Sequence, residues 1–291
     1  MKNAKRFFAR LSIGKILKYC ILLCITLMVW IPIYMVIEGS LIGSGDIKAY
    51  IGSILENGNK YVDWPVFPMY PTLRSYVELL LDTPKFFVMF GNSVIQVLPA
   101  LLGQLLIAVP AAWSFARFRF PLKRFIFAIY IVLMILPFQV TMVSSYLVLY
   151  QFNLLDSHLS IILPAIFSTF PVFIMVKFFK SIPEEMIEAA KIDGAGNIRI
   201  FLKVGIPLGY SGIMSAVILS FIEVWNSLEQ PLTFLKDQSK WPLALYLPQI
   251  SNDKIGVSFI ASIVMMMPAL LIFLTGEKYL EQGIVASGIK Q

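Results

Sequence analysis

Six stretches of this chain are apolar for long enough to cross the hydrocarbon of a bilayer, and this limits its fold more than any other feature. They run over about residues 16–37, 87–115, 124–150, 159–180, 208–229 and 256–275. A helix needs roughly 20 apolar residues to span about 30 Å of lipid. Lipid offers the backbone no hydrogen bonds, so a continuous apolar run of that length resolves as a helix. The composition agrees: 58% of the 291 residues are apolar and 14% are charged, against about 45–50% and about 25% in soluble domains. The fold class expected is an all-α membrane protein with six transmembrane helices.

Charge orients these spans. Lys2, Lys5, Arg6, Arg10, Lys15 and Lys18 lead into the first run. A basic leader before an apolar stretch also describes a signal peptide, but this run is about 22 residues long and no small-residue cleavage site closes it, so a retained anchor is the better reading. Of the 24 Lys and Arg residues, 17 fall on the N-terminal side of the alternating loops and 7 on the other. Cytoplasmic loops carry the excess of basic residues, which predicts that both termini are cytoplasmic. The same topology accounts for the net charge of +7 without a nucleic-acid partner. Cys20 and Cys24 share a helix face inside the first run, where apolar packing is the simplest role and no disulfide is expected.

Prolines interrupt the middle spans at Pro99, Pro110, Pro137, Pro164 and Pro171. Each frees a carbonyl that other helices, hydroxyls or water must satisfy. Prolines are frequent in membrane helices, but these spans also carry Gln96, Gln104, Gln139, Thr141, Ser144 and Ser145. Bent helices with polar groups favour a lining for a cavity that opens and closes. Residues 38–86, with Trp64, Tyr61 and Tyr70 among glycines and prolines, read as an ordered segment outside the membrane.

The loop at 181–209, SIPEEMIEAAKIDGAGNIRIFLKVGIPLG, is too polar for lipid and too patterned for a linker. Ser181-Ile-Pro183-Glu184 reads as a capped helix start. Met186, Ile187, Ala190 and Ile192 follow among charged residues at roughly helical spacing, and Asp193-Gly194-Ala195-Gly196 supplies a turn. A second helix is predicted from Asn197 to Val204, with Pro207 leading into the fifth span. Two short helices joined by a glycine turn are therefore expected on the cytoplasmic face.

Glu188-Ala189-Ala190, three residues, Gly194, nine residues, then Val204-x-Ile206-Pro207 resembles the pattern EAA-x3-G-x9-I-x-L-P of permease subunits in bacterial binding-protein-dependent ABC importers. Val204 and Ile206 are conservative departures from the usual Ile and Leu. Further stretches resemble the carbohydrate branch, the maltose-type second permease: Pro71-Thr-Leu-x-x-Tyr76 with Asn92-Ser93, Ala111-Ala-x-x-Phe-Ala-Arg117-Phe-x-Phe, Trp225-Asn226 with Pro231-Leu232, and the tail Gly283-Ile-Val-Ala-Ser-Gly-Ile-Lys290. The resemblance covers almost the whole chain. It implies a type I ABC importer permease with a cytoplasmic segment 1–15, a membrane domain 16–275 that includes the outer segment 38–86 and the docking loop 181–207, and a cytoplasmic tail 276–291.

The family's docking loop seats on its ATPase, which here implies docking through Glu188, Ala189, Ala190, Asp193, Gly194, Val204 and Pro207. Partners implied are a homologous second permease, two ATPase copies, an extracellular solute-binding protein and the lipid bilayer, in a bacterial cytoplasmic membrane. No Gly-x4-Gly-Lys-Ser/Thr phosphate loop occurs, since Gly43 and Gly45 lead into Asp46-Ile-Lys48. ATP and Mg therefore belong to the partner ATPase, no cofactor or metal is expected in this chain, and no catalytic set is visible. His158 is read as a solvated or capping residue at a loop end.

Gln139, Glu223, Trp225 and Asn226 are the candidates for the solute pathway. Glu223 is an acid inside a span, where acids face protein or water. It serves either as a hydrogen-bond acceptor for solute hydroxyls or as a structural partner for a Gln or Lys of the sister permease. Trp225 either stacks on a sugar face or anchors at the interface. The function expected is import of a sugar or oligosaccharide. A non-sugar ABC importer and a stand-alone secondary transporter are the alternatives, the latter usually built from internal repeats, of which none is evident.

Overall fold

The computed structural model describes residues 13–55, 64–247, 250 and 254–288, and among these every regular element is helical. The chain divides into two compact units. The first holds residues 1–83 with 250–264, and the second residues 84–249 with 265–291.

In the first unit, α1 (Ile13–Gly39) carries one internal proline, Pro32. Its stretch Leu17–Gly39 has a mean hydropathy of 2.6, and none of its most apolar window is buried within the chain. A helix apolar on all sides with no protein cover suits lipid or a partner helix. Two short helices, α2 (Ser44–Leu55) and α3 (Arg74–Leu80), follow within the 38–86 segment. Its polar groups close on one another. Trp64 Nε1 donates to Glu38 Oε2 at 2.8 Å, the Ser40 and Tyr76 hydroxyls lie 2.8 Å apart, and Lys254 pairs with Glu78 at 2.6 Å.

The second unit begins with α4 (Pro84–Arg117), which is 34 residues long and so reaches about 51 Å, well beyond the hydrocarbon layer. The third apolar run is not one helix. α5 (Lys123–Ile135) and α6 (Phe138–Gln151) meet at 104°, because Leu136, the residue before Pro137, is extended as a pre-proline residue prefers. The fourth run, Leu159–Ser181, stays one span with a short interruption between α7 (Leu159–Ile166) and α8 (Phe170–Ser181), and Pro171 sits in the first turn of α8 where its missing N–H is harmless.

Next come α9 (Glu184–Ile192) and a helix α10 (Asn197–Leu208). The latter turns by 69° at Gly209 into α11 (Tyr210–Trp225). Gly209 sits where a Cβ would fall 2.3 Å from Phe179 Cε1, so only glycine lets the two segments meet there. α12 (Glu229–Phe234) and two single turns, Gln238–Lys240 and Leu243–Leu245, complete the stretch. The last helix, α13 (Ile255–Gly288), begins in the first unit and ends in the second. It extends the sixth span by more than three turns into the segment expected as a tail, while 289–291 lie outside the described residues. Among the described residues four helical stretches, counting α7 with α8 as one, are long and apolar enough to cross a membrane, or six if each bent pair is one span.

Two polar features were misjudged from the sequence. Gln96, read as a cavity residue, is buried and donates to Lys240 O at 3.0 Å, beside Asn92, which donates to Ser239 O and Trp241 O at 2.7 and 3.0 Å. Ser93 Oγ accepts Leu243 N at 2.7 Å. One face of α4 thus clasps the irregular 239–243 backbone and satisfies polar groups that helix packing alone would strand. His158 is half-buried against Gln96, 3.1 Å from its amide nitrogen; it occupies the N-cap position of α7, but its side chain makes no capping bond.

Candidate functional site: a braced loop and a polar cavity

The 181–208 segment forms as two helices around a glycine turn. Gly194 has φ +78°, a conformation glycine takes freely. Gly194 N and Ala195 N bond back to Lys191 O and Ala190 O, each at 3.0 Å, closing the end of α9. Glu184 and Glu185 open α9 and Lys191 closes it, the arrangement the helix dipole favours. Ser181 is not its cap. It ends α8 with Oγ donating to Phe178 O at 2.7 Å, and Pro183 occupies the N-cap position. The second helix runs on past Val204 to Leu208 through a π turn at Phe201–Gly205. That turn brings Gly205 under Trp113, where a Cβ would come 2.7 Å from the ring.

The loop is built onto the apolar core. Ile187 of α9 and Ile200 of α10 are 4% and 2% exposed within a cluster that includes Ala112, Trp113, Val176 and Phe179. Trp113 meets Phe179 edge-on at 5.4 Å and Phe201 at 5.8 Å. Arg117, at the end of α4, pairs with Glu184 at 2.7 Å, donates to Ile182 O and lies 5.8 Å over the Trp113 ring. These contacts hold α9 to α4 and α8 as one body, with the opposite side bare. Met186 is 45%, Ile192 86% and Ile198 76% exposed.

Of the residues expected to dock, Glu188, Ala189, Asp193, Gly194 and Pro207 are exposed, while Ala190 and Val204 pack partly against the core. Of the residues that fix the loop, Ile187 was read only as part of its apolar spacing, and Ile200, Arg117, Trp113 and Gly205 were not singled out. Arg117 lay in a stretch noted for its pattern, but nothing local shows that it reaches Glu184, 67 positions away.

A cavity of about 340 Å³ lies among the broken helices of the second unit. Gln104 of α4, Thr141 of α6, Ser168 and Thr169 of the α7–α8 break, Glu223 of α11 and Ser227 contribute its polar wall. Gln104 also donates to Ala165 O at 2.9 Å, a carbonyl at the end of α7 that accepts Ser168 N as well, at 3.1 Å. A second recess, lined by Thr141, Ser144, Ser145 and Pro164, adjoins it through shared residues. Of the prolines and polar groups noted together in the sequence, Pro164, Gln104, Thr141, Ser144 and Ser145 meet in space here.

The four pathway candidates part company. Glu223 is exposed and on the cavity wall. Gln139 and Glu229 are exposed and bonded to each other, Nε2 donating to both carboxylate oxygens at 2.6 and 2.8 Å. Asn226 closes α11, its amide nitrogen donating to Ile222 O at 2.9 Å. Trp225 is 4% exposed, stacked on Phe221 at 5.4 Å and donating to Met265 O at 3.0 Å. Its ring is packing material, and neither a sugar platform nor an interfacial anchor.

A helical chain with several bilayer-length spans, proline-broken around a polar cavity and bearing a rigidly braced polar loop, is built as a multi-pass membrane transport component. Residues 104–286 match the family described as the binding-protein-dependent transport system inner membrane component. A probable ABC transporter permease of Pyrococcus horikoshii is 31% identical over 262 residues, covering 86% of this chain and 95% of that one. The permease of a diacetylchitobiose uptake system in Streptomyces coelicolor is 31% identical over 68% of each chain. An sn-glycerol-3-phosphate permease of Pectobacterium atrosepticum is 26% identical over 71% of this chain and 75% of its own. A crystal structure of a bacterial ABC transporter involved in import of the acidic polysaccharide alginate matches with a TM-score of 0.74 at 21% identity, over 95% of this chain and 97% of that chain. The protein belongs to the binding-protein-dependent transport system inner membrane component family. It is a non-catalytic, multi-pass permease subunit of an ABC importer, a system that also comprises a partner permease, an ATPase and a binding protein.

Proposed function

We propose that this chain forms half of the pathway of an ATP-driven importer for a sugar or oligosaccharide, and that its 184–208 loop receives the stroke of a separate ATPase. The supporting observation is the loop's two-sidedness: Ile187 and Ile200 are locked into the core while Met186, Glu188, Ala189, Ile192 and Ile198 are bare. A surface helix in water hides its apolar side chains, so apolar groups turned outward on a braced helix suit a partner's groove. Because the loop is fixed to α4 and α8, a push on it moves those helices, and with them the cavity wall. Coupling then works as a two-state element biased from both faces, by ATP on one side and by the loaded binding protein on the other. The partners are a homologous permease, two ATPase copies that bind ATP and Mg, and an extracellular binding protein. The sugar assignment follows relatives named for diacetylchitobiose and for arabinooligosaccharides.

Glu188→Lys combined with Gly194→Asp tests the coupling in the purified transporter. The membrane domain stays folded and solute-stimulated ATP hydrolysis falls at least tenfold. Full stimulation in the doubly substituted transporter overturns the docking role.

A further inference from the structure

The cavity carries a charge asymmetry that fold and family leave open. Among the described residues Glu223 is the sole ionisable group on its wall, and its other polar groups, Gln104, Thr141, Ser168, Thr169, Ser227 and Gln230, are neutral. No lysine, arginine or histidine among the described residues lines it. A second carboxylate, Glu229, sits just beyond, with Gln139 rather than a cation as its bonded partner. Phe138, next to Gln139 in the chain, and Gln230, next to Glu229, are themselves lining residues. A narrow polar cavity with low-dielectric walls focuses the field of a fixed charge, and rings of acidic side chains select against anions in membrane pores for this reason.

Resting on the pathway reading above, we propose that Glu223 makes this chain's half of the pathway a filter by charge, admitting uncharged or cationic hydroxylated solutes, such as neutral or amino sugars, and rejecting anionic ones. Neutral amides and hydroxyls exchange hydrogen bonds with sugar hydroxyls, and a carboxylate accepts them strongly. A carboxylate or phosphate on the solute would meet the Glu223 charge with no cation on the wall to offset it. Relatives named for glycerol-3-phosphate and a fold neighbour named for alginate transport anions, so charge preference is a property that varies among similar proteins, and here a single side chain sets it.

The experiment reads the field directly and needs no knowledge of the native solute. In the full-length chain, Cys20→Ala and Cys24→Ala remove the two cysteines, and Ser227→Cys places one thiol on the cavity wall. Membrane fragments from cells that make the whole transporter are treated at low salt with two thiol reagents of similar size. One is the cationic trimethylammonium-ethyl methanethiosulfonate, the other the anionic sulfonatoethyl methanethiosulfonate. Ser227 lies two positions past the end of α11 on the same cavity wall as Glu223, where a spacing of about 6 Å, that of residues four apart in a helix, sets the scale. At that distance even water-like screening changes the cation-to-anion rate ratio about tenfold. Glu223→Gln therefore lowers the ratio about tenfold, Glu223→Lys lowers it further, and Glu223→Asp keeps it. A ratio unmoved by Gln and Lys, or lost in Asp, overturns the charge filter while leaving a water-accessible pathway standing. A thiol inert to both reagents overturns the pathway reading and the filter with it.

Discussion

Ile187 and Ile192 are the same residue type five positions apart on one short helix, 4% and 86% exposed, and this contrast makes a controlled test of the docking loop. Ile187→Ala removes three carbon atoms from a packed cluster. Transfer free energy accounts for about 2.4 kcal/mol, at about 0.8 kcal/mol per methylene, and the unfilled space brings the total to about 2–4 kcal/mol. If α9 and α10 open as a local unit, that loss appears as faster amide exchange across residues 184–208. At about 2 kcal/mol the protection falls roughly 30-fold. Ile192→Ala leaves protection unchanged, because its side chain touches little of the chain. The assay is hydrogen exchange of the detergent-solubilised protein followed by mass spectrometry of peptides from this loop. Equal effects from both substitutions, or none from Ile187→Ala, would refute the claim that the loop is anchored by one face.

Gly194→Ala places a Cβ in open space at φ +78°, so its penalty is conformational, about 1 kcal/mol, and Gly194→Asn loses less; loop exchange rates show the order. Arg117→Ala strips the Ile182 carbonyl and Glu184 of their partner and uncovers Trp113. It loosens α9 by about 1–3 kcal/mol, whereas Arg117→Lys restores only part of this because it cannot bond both partners in one plane. The segment 236–241 responds to pH. The Asp156 carboxyl is held below its ordinary value, first by the Asp237 N–H, with Lys240 adding to this. Its contribution is complete above the unfolded carboxylate value of about 3.9 and lost as pH falls through the lower folded one. Burial, and then Lys240, lower His158 in the same way, so its contribution is present above about pH 6.5 and lost as pH falls below that. Proteolysis of this segment is therefore slowest near neutral pH and rises in two steps on acidification. Asp156→Asn shrinks the lower step, which Asp237 shares because the Ser239 N–H holds its carboxyl low too, and His158→Gln removes the upper.

Much of the architecture could be read along the chain because its cause is local. Hydropathy marked the spans, Pro137 marked the place where α5 and α6 separate, and Gly194 marked the turn that its φ demands. The docking pattern also lies within 20 consecutive residues. What escaped depends on residues brought together from far apart. The α4 face at Asn92, Ser93 and Gln96 finds its partners about 150 positions later, in backbone at 239–243, and no local rule connects them. Arg117 and Glu184 are joined by the same long-range packing. Ser181 failed as a cap because a hydroxyl at a helix end can bond backward to the carbonyl three residues earlier, which competes with forward capping. Trp225 satisfied the composition of a sugar platform, but Phe221 one turn earlier covers its face and Met265 takes its N–H.

The central claim is that the bare side of the 184–208 loop contacts an ATPase. Ile192→Cys, placed in a chain lacking Cys20 and Cys24 and treated with a short cysteine-to-lysine cross-linker in native membranes, measures this contact. The account predicts a single cross-linked product of permease plus ATPase, identified by mass spectrometry and reduced when nucleotide changes the ATPase conformation. A thiol at 192 that labels freely yet never joins an ATPase, or that cross-links only to lipid-facing segments of neighbouring permeases, would contradict it.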